Sequence, residues 1–477
     1  MSGAGSSFAG RTVLVAGLGV SGVAAARALL ADGAGVLLTD AAQLPAVAEL
    51  TAGGATWLGV TDTVPPGVDL VVTSPGWRPD SPLLLDAAER GVEVVGEPEL
   101  AWRMRIAGPG GTPAPWLAVT GTNGKTTTVT MLEAILLADG RRAVAAGNVG
   151  RPLVEVVTAK DDDGTPAFDV VAVELSSFQL HWSSSLAPAA AAVLNVADDH
   201  TDWHGSFAAY RDAKARILER SPVAVGDAGD PVAARLVEGH PGAVTVTLDE
   251  PRPGQLGVRA GALLDRAFAD DPAGEVLMER ADLPVPGPHN TVNALAAAAL
   301  ARALGVPASS VARGLAGFTG GAHRNVLVAT RDGVDWVDDS KATNPHAAGA
   351  SLAAYPRVVW IAGGLLKGAD VDPLVAAVAP RLAGVVLLGR DRELIARSLA
   401  RHAPSVPVVD IPSGNDGRMD AGREDAATTM TRVVTAAASL ARPGDTVLLA
   451  PAAASMDVFR DYGHRGQAFA DAVRALG

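Results

Sequence analysis

The chain has 477 residues, a length that suggests about three domains, and 48% of its residues are apolar, so each domain can bury a core. The formal net charge of −13 argues against binding along a nucleic-acid backbone, and the absence of cysteine excludes disulfides and thiolate-bound zinc. No run of about 18 apolar residues is present, so we expect no membrane span and a cytoplasmic location.

The first part of the chain, to about residue 97, alternates strand-like and helix-like segments. This alternation predicts a parallel sheet with crossover helices. The predicted strands are Thr12–Ala16, Val36–Thr39, Leu70–Thr73 and Val92–Val95. A short helical stretch, Glu99–Ile106, then leads into a linker rich in glycine and proline.

A glycine-rich motif, GLGVSG at residues 17–22, follows the first predicted strand, and Asp40 ends the second. A helix that begins at such a motif suits a diphosphate, and the carboxylate suits a ribose. NAD and a UDP-sugar both meet this description, and a tight turn without a ligand is a third interpretation. Taken alone, this part of the chain favours NAD.

The strongest local signal is GTNGKTT at residues 121–127, which lies between an apolar strand and a helix-like run. Glycines let backbone N–H groups converge on phosphate oxygens, and the helix N-terminus adds partial positive charge. Lys125 is expected to bridge the β- and γ-phosphates of a nucleotide, and the Thr126 hydroxyl to face Mg²⁺. The loop has two residues fewer between its glycines than GxxxxGK[ST], but its position between strand and helix supports phosphate binding.

Polar residues follow two further strands of the middle part of the chain. Glu174 ends one predicted strand, and Asp198, Asp199 and His200 follow the next. The carboxyl ends of parallel strands are where open α/β sheets bind ligands, and Mg²⁺ prefers oxygen ligands. Glu174 is therefore a predicted Mg²⁺ ligand, and the second group suggests another metal position. A helix cap or a surface histidine is the alternative for each residue taken alone.

Strands and helices alternate again after GGAHR at residues 320–324. We therefore predict an α/β protein of three domains, at residues 1–97, 98–320 and 321–477. The polar, glycine-rich segment 413–425 is expected to be an exposed loop. The predicted elements after residue 97 are the strands Trp116–Val119, Val170–Glu174, Ala191–Val196, Val334–Val337, Val358–Ala362, Val385–Leu388 and Thr446–Ala450, and the helix Asn293–Leu304.

Six ordered motifs, from about Thr12 to Phe469, resemble the Mur ligase family. They are GTNGKTT, ELSSFQL, ADDHTDWHGSFAAYRDAKARI, PGPHNTVNALAA, HRNV with WVDDSKATNP, and APAAASMDVFRDYGHRGQAF. The phenylalanine of ELSSFQL and the segment DDSKATNP are typical of the branch of the family that adds D-glutamate.

The resemblance implies a Rossmann-like N-terminal domain that binds UDP, a central P-loop-type ATPase domain and a Rossmann-like C-terminal domain with the amino-acid site. It implies an ATP- and Mg²⁺-dependent amide ligase. This enzyme would join D-glutamate to UDP-N-acetylmuramoyl-L-alanine through an acyl phosphate in peptidoglycan precursor synthesis. Its partners would be these small molecules, with neither nucleic acid nor membrane, and we expect a monomer.

The resemblance also assigns nucleotide contacts by motif. The residues implied for the UDP substrate are Val20, Ser21, Asp40, Asn148 and Ser176. Those implied for ATP are Gly121, Thr122, Asn123, Gly124, Lys125, Thr126, Thr127, Asn290, Arg324 and Asp339.

Metal and amino-acid contacts follow in the same way. Thr126 and Glu174 would hold one Mg²⁺, and His200 with Lys214 the other. In the family this lysine is carbamylated by CO₂, which requires an unprotonated amine and therefore a depressed pKa. Lys125, His200 and Lys214 are the implied catalytic residues. The residues implied for D-glutamate are Lys341, Thr343, Lys367, Ser455 and Tyr462.

Two positions depart from the family pattern. Tyr462 stands where some relatives have phenylalanine, and Leu366 stands where many have a polar residue beside Lys367. Three alternative functions remain open: an NAD-dependent dehydrogenase, a nucleotide-binding regulator without chemistry, and a sister ligase such as another Mur enzyme or a folate polyglutamate ligase.

Overall fold

A computed structural model describes residues 7–42, 44–412 and 425–476. The predicted loop 413–425 lies outside the described residues except for its last position. The chain forms two compact units. The first unit contains Met1–Asp282 and Val292–Phe318, and the second contains Leu283–Thr291 and Thr319–Gly477.

The first sheet of the first unit has five parallel strands in the order β3-β2-β1-β4-β5. Its strands are short apolar runs that lie between helices, as the sequence predicts. Its elements are β1 (Thr12–Ala16), α1 (Val20–Ala31), β2 (Gly35–Thr39), α2 (Pro45–Ala52), β3 (Thr56–Trp57), β4 (Leu70–Thr73), α3 (Pro82–Glu89), β5 (Val94–Gly96) and α4 (Glu97–Met104).

The second sheet has nine strands in the order β14-β13-β12-β11-β10-β9-β6-β8-β7. Its elements are β6 (Trp116–Thr120), α5 (Lys125–Ala138), β7 (Ala143–Gly147), α6 (Leu153–Thr158), β8 (Val170–Glu174), α7 (Ser177–His181), β9 (Ala190–Val193), α8 (Thr201–His204), α9 (Phe207–Ala215), β10 (Ala224–Asp227), α10 (Pro231–Val237), β11 (Ala243–Val246), β12 (Gln255–Arg259), β13 (Ala262–Asp265), β14 (Glu275–Glu279), α11 (Pro288–Ala303) and α12 (Ala308–Ala316). Short 3₁₀ helices occupy Arg216–Leu218 and Arg280–Asp282.

The strands at the centre of this sheet are buried, and every residue of β6, β8 and β9 is shielded from solvent. These strands run parallel, so their carboxyl ends meet at one edge. The outer strands β12, β13 and β14 pair antiparallel and extend the sheet on the far side. The second sheet therefore brings the ends of β6, β8 and β9 together and keeps the extension away from them.

The second unit is built on a six-stranded sheet in the order β15-β16-β20-β17-β18-β19, in which only β15 pairs antiparallel among the described strands. Its elements are β15 (Val326–Arg331), β16 (Val334–Asp338), α13 (Pro345–Leu352), β17 (Val358–Ala362), α14 (Asp372–Val378), a 3₁₀ helix (Ala379–Arg381), β18 (Leu382–Leu387), α15 (Arg392–His402), β19 (Val408–Asp410), α16 (Ala426–Leu440), β20 (Thr446–Leu449) and α17 (Tyr462–Ala475). Apolar clusters cover both faces of this sheet.

The predicted α/β class with three parallel-type sheets is confirmed, while the predicted domain boundaries remain predictions. One predicted strand, Ala191–Val196, is wrong in its second half because β9 ends at Val193. The chain turns there, and the Asn195 carbonyl accepts a hydrogen bond from Thr122 N at 2.9 Å. Among the described residues, no helix is long and apolar enough to cross a membrane.

Candidate active site

The candidate site of the first unit lies where β6, β8 and β9 end. Val119 pairs with Glu174, and Thr120 pairs with Val193, so the loop after β6 lies between the ends of the other two strands. This loop, Gly121–Gly124, leads directly into α5. A helix begins with main-chain N–H groups that lack partners in the helix, and these suit an anion.

Glycine is required at one position of this loop. Gly124 has φ +83°, and a Cβ there would lie 2.4 Å from Asn293 Oδ1. Lys125 Nζ folds back over the loop and donates to the carbonyl oxygens of Gly121 and Thr122, at 2.9 and 3.0 Å. The lysine therefore already lies against the loop that is predicted to hold phosphate.

Glu174 links the helix after the loop to the end of β7. The buried carboxylate accepts a hydrogen bond from Thr126 Oγ1 at 2.7 Å on one oxygen and from Asn148 Nδ2 at 2.8 Å on the other. The three residues come from different elements, so the fold alone brings them together. The predicted pair of Mg²⁺ ligands, Thr126 and Glu174, is adjacent in the structure.

Lys214, on α9, is buried beneath the same loop with only 2% of its surface exposed. Its Nζ donates to Gly121 O at 2.8 Å and lies 4.6 Å from the centre of the Tyr210 ring. Burial, and next the charge of Lys125, lower the pKa of Lys214 well below its ordinary value. The structure therefore holds an amine that is readily deprotonated, which is what the predicted carbamylation requires.

His200 precedes α8 in a left-handed conformation, with φ +54°. Its ring lies 4.8 Å from the ring of Phe178, and its Nε2 is 3.5 Å from Asp199 Oδ2. Burial lowers the pKa of His200, which favours the neutral, ligating form. That Asp198, Asp199 and His200 mark a second metal position stays a prediction. Among the described residues, no three acidic or histidine side chains are grouped to hold a metal.

Two side chains that the sequence analysis did not single out brace the phosphate loop. Asn195 Oδ1 accepts from Asn123 N at 2.8 Å, and Asn195 Nδ2 donates to Asn123 O at 3.1 Å. Tyr210 OH and Thr122 Oγ1 are 2.9 Å apart. Only weak sequence signals mark these two residues: a polar residue just past a strand, and an aromatic residue one helical turn before Lys214.

The glycine motif of the first sheet forms the expected tight turn into α1. A Cβ at Gly22 would lie 1.8 Å from Gly17 O, so only glycine lets the helix approach the turn. Asp40 Oδ2 accepts from Leu18 N at 2.6 Å, so this carboxylate braces the turn. Val20 and Ser21 begin the helix, and Val20 is 76% exposed.

Ser176, the remaining residue predicted for the UDP substrate, caps α7. Its Oγ accepts from Gln179 N at 3.2 Å, and Gln179 Oε1 accepts from Ser176 N at 2.9 Å. This reciprocal capping box fixes the turn that follows Glu174. The structure therefore gives Ser176 a local structural role, and its contact with substrate remains a prediction.

Three of the residues predicted for ATP, Asn290, Arg324 and Asp339, belong to the second unit. Asn290 Nδ2 donates to Pro286 O at 2.7 Å. Burial raises the pKa of Asp339 to about 6, against the opposing effects of Ser351 and Arg324. The Asp339 carboxyl is thus held among polar partners rather than in open solvent.

Four of the residues predicted for D-glutamate, Lys341, Thr343, Lys367 and Ser455, lie on loops at the carboxyl ends of β16, β17 and β20, and Tyr462 begins α17. Lys341 Nζ is 4.2 Å from the centre of the Tyr462 ring, and Thr343 N donates to Lys341 O at 2.8 Å. Lys367 is exposed, and Ser455 is buried. The loops themselves are joined, since Ala452 N donates to Ala342 O and Leu365 and Ala454 exchange two main-chain hydrogen bonds.

Arg465 is a further residue that the sequence analysis missed. It is almost completely buried on α17, and its guanidinium donates to Ser340 Oγ, Ser340 O and Ala453 O at 2.8 to 3.1 Å. Burial lowers the pKa of Arg465 to about 10, which leaves it cationic at neutral pH. It ties the loop of Lys341 to the loop of Ser455 from behind.

Three family models match the sequence of this chain. They are the Mur ligase MurD-like N-terminal domain at residues 11–96, the Mur ligase middle domain at residues 119–301 and the Mur ligase glutamate ligase domain at residues 323–453. The chain belongs to the Mur ligase family.

Within that family the chain is similar over nearly its whole length to proteins named UDP-N-acetylmuramoylalanine–D-glutamate ligase. The relative from Thermobifida fusca is 55% identical over 98% of this chain and 99% of its own. The relative from Mycobacterium avium is 52% identical over 98% of this chain and 97% of its own.

Solved structures agree on the fold. A UDP-N-acetylmuramate-alanine ligase from Thermotoga maritima has a TM-score of 0.55 at 18% identity, over 98% of this chain and 100% of its own. A pseudomurein peptide ligase type C from Methanothermus fervidus has a TM-score of 0.57 at 17% identity, with the same coverage.

Proposed function

We propose that this protein is a cytoplasmic ligase that uses ATP to join D-glutamate to UDP-N-acetylmuramoyl-L-alanine. The observation that carries the proposal is the cluster at the end of β6, where Lys125 lies on the phosphate loop and Thr126 meets Glu174 at 2.7 Å. The similarity to D-glutamate ligases over 98% of the chain supports the choice of substrates. The MurD-like match at residues 11–96 favours UDP over NAD at the glycine turn.

The oxygen atoms near the phosphate loop fit Mg²⁺. A six-coordinate Mg²⁺ with bonds of about 2.1 Å has neighbouring ligand oxygens about 3 Å apart. The 2.7 Å between Thr126 Oγ1 and Glu174 Oε2 is close to that spacing. Mg²⁺ also keeps few protein ligands when phosphates complete its shell. When bound, the metal would offset the negative charge of the phosphates.

The reaction has two steps. In the first, an oxygen of the L-alanyl carboxylate attacks the γ-phosphorus of ATP. The bond from that phosphorus to the bridging oxygen breaks, and ADP leaves. In the second, the amine of D-glutamate attacks the carbonyl carbon of the acyl phosphate, phosphate leaves, and the amine loses a proton. Positioning and charge neutralisation supply most of the catalysis in such transfers. Lys125 contributes charge, and the main-chain N–H groups at the start of α5 orient the phosphates.

Lys214 enters this scheme as a modified residue. Its neutral amine would attack the carbon of CO₂, forming an N–C bond and losing one proton, and the product is a carbamate anion. Burial favours this reaction because it disfavours the ammonium form. With His200, the carbamate would hold a Mg²⁺ through an oxygen ligand, which arginine could not supply.

The amino-acid dependence of phosphate release tests the proposal. We expect release with UDP-N-acetylmuramoyl-L-alanine and D-glutamate, and little with L-glutamate, L-lysine or meso-diaminopimelate.

Lys125→Ala should abolish ADP formation, because it removes the cation at the phosphate loop, while Lys160→Ala on an exposed loop should not. Phosphate release that is independent of the muramyl substrate, or undiminished in Lys125→Ala, would refute the proposal.

A further inference from the structure

A turn that contains none of the predicted site residues lies against the loop of Lys367. Strand β17 lies between β20 and β18 in the sheet. The loop after β17, residues 363–368, therefore runs between the loop that follows β20 and the turn that follows β18. This turn, Gly389–Asp391, leads into α15.

The side chain of Asp391 binds the loop rather than its own helix. Aspartate at the residue before a helix usually accepts from the first N–H groups of that helix. Within the described range 44–412, Asp391 makes no such side-chain bond. Its Oδ2 instead accepts from Leu366 N at 2.7 Å, and Asp391 N donates to Gly364 O at 3.0 Å.

The residue that follows this hydrogen bond has an unfavourable backbone conformation. Lys367 has φ +53°, in the left-handed region that residues other than glycine rarely adopt because it costs conformational energy. Leu366 is only 4% exposed and belongs to the apolar core beneath the loop. The buried Leu366 side chain and the Asp391 hydrogen bond hold the loop on both sides of its backbone, so Lys367 keeps its strained conformation while its side chain extends into solvent.

The same turn also fixes the loop of Ser455. Arg390 N donates to Asp457 Oδ2 at 2.7 Å. Gly389 has φ +80°, and a Cβ there would lie 2.6 Å from that same carboxylate oxygen and 2.7 Å from Gly364. The turn therefore contacts both loops whose lysine and serine are predicted to bind the amino acid.

We propose that Asp391 is a positioning residue for the amino-acid substrate, which acts by holding the Leu366 N–H so that Lys367 presents its ammonium group to a carboxylate of D-glutamate. The inference rests on the proposed function for the identity of that substrate. It also gives a reason for the leucine at position 366. The apolar side chain of Leu366 anchors the loop in the core. The main-chain N–H of Leu366, rather than a polar side chain, donates the hydrogen bond to the carboxylate of Asp391.

Three substitutions at Asp391 test this role in the full-length enzyme. Asp391→Ala should raise the KM for D-glutamate at least tenfold, with the KM values for ATP and for the UDP substrate changed by less than about twofold. Asp391→Asn keeps an acceptor at the same distance, so its KM for D-glutamate should stay within about threefold of wild type. Asp391→Glu keeps the charge but displaces the acceptor, so it should resemble Asp391→Ala. A lower KM for D-glutamate in Asp391→Asn than in Asp391→Glu would show that the position of the acceptor matters, and not the negative charge at the start of α15.

Asp410→Asn is the matched control. Asp410 also accepts a hydrogen bond from α15, from Arg392 Nε at 2.7 Å, but among the described residues it makes no hydrogen bond to the loop of Lys367. All three KM values should remain near wild type in this variant. Thermal unfolding of each variant checks that the fold persists. If Asp391→Ala fails to fold, the comparison of Asn with Glu still decides.

A double-mutant cycle tests whether Asp391 acts through Lys367. In a Lys367→Met background, Asp391→Ala should produce no further rise in the KM for D-glutamate. Independent, multiplicative effects would overturn the proposal, as would an equal rise in the KM for ATP. If the wild-type enzyme does not turn over D-glutamate at all, the proposed function fails instead, and the cycle can be repeated with whichever amino acid is used.

Discussion

Lys214 combines deep burial with a lowered pKa. Its predicted carbamylation can be tested by removing the side chain and supplying a carboxylate from solution. Lys214→Ala removes the amine and with it the carbamate. We expect ADP formation to fall about a hundredfold or more, because losing even an outer-shell partner of a metal ligand costs about 10- to 100-fold. Short carboxylic acids should restore part of the activity, because an external carboxylate fits the space and charge of the carbamate. The measurement is ADP formation against the concentration of acetate or formate.

Two variants control this rescue experiment. Lys160→Ala, on an exposed loop, should be fully active and insensitive to carboxylates. Lys214→Arg keeps a cation but cannot form the carbamate, so it should be inactive and without rescue. A failure of every carboxylate to rescue Lys214→Ala, in protein that remains folded, would count against the carbamate role.

Residue types at the site were predictable, but their partners were not. The phosphate loop, Glu174 and Lys214 carry local signals, since each follows a strand or lies in a motif. The roles of Asn195 and Tyr210 depend on distances across the fold, 2.8 Å to Asn123 N and 2.9 Å to Thr122 Oγ1. A lone asparagine past a strand end does not reveal which loop it braces.

At the level of single elements, helix α4 joins the first sheet to the second through two buried carboxylates. Glu97 Oε1 accepts from Val154 N, at the start of α6, at 2.7 Å. Glu99 accepts from Ser184 N and Ser185 N, both at 3.0 Å. The sequence predicts a short helix here, but glutamates at the start of a helix are usually solvated, so their burial could not be inferred.

Glu97 should make stability depend on pH. Burial raises its pKa to about 7, and Glu97 Oε2 has no hydrogen-bond partner among the described atoms. Between about pH 4.5 and 7 the folded state keeps a proton that the unfolded state releases, so stability falls as pH rises. Above pH 7 the accumulated loss reaches about 3 kcal/mol. Glu97→Gln cannot ionise and should escape this loss.

The measurement is the free energy of unfolding of the first unit in urea, from pH 5 to pH 8. Glu97→Gln should match wild type near pH 5 and exceed it by about 2 to 3 kcal/mol at pH 8. Glu89→Gln, at the exposed end of α3, should follow the wild-type curve throughout. Parallel curves for wild type and Glu97→Gln would show that Glu97 is already ionised in the folded protein at pH 5.

At the scale of the whole molecule, three sheets were predictable because each repeats the alternation of short apolar strands and helices. The grouping into two compact units was not, because it depends on contacts such as those of Glu97 and Glu99 and on the placement of Leu283–Thr291 with the second unit. The antiparallel strands β12 to β14 were also missed. Their sequence lacks the long apolar runs that mark the central strands.

Ligands should therefore stabilise the two units separately. The predicted UDP contacts, including Val20 and Asp40, all lie in the first unit, and the predicted D-glutamate contacts all lie in the second. A ligand that binds only the folded form at one hundred times its Kd adds about 2.7 kcal/mol of stability. In scanning calorimetry we expect one unfolding transition for each unit. UDP should raise the unfolding temperature of the first, larger unit by a few degrees and leave that of the second unit unchanged.

A variant of the glycine turn completes this test. Gly22→Ala places a Cβ 1.8 Å from Gly17 O, so the turn must open and its N–H groups lose the arrangement that suits a diphosphate. We expect this variant to keep two transitions and to lose most of the shift with UDP. If UDP instead shifts the transition of the second unit, or shifts Gly22→Ala as strongly as wild type, the assignment of the diphosphate to the first sheet is wrong, because a diphosphate bound at that turn must stabilise the first unit and must lose affinity when the turn opens.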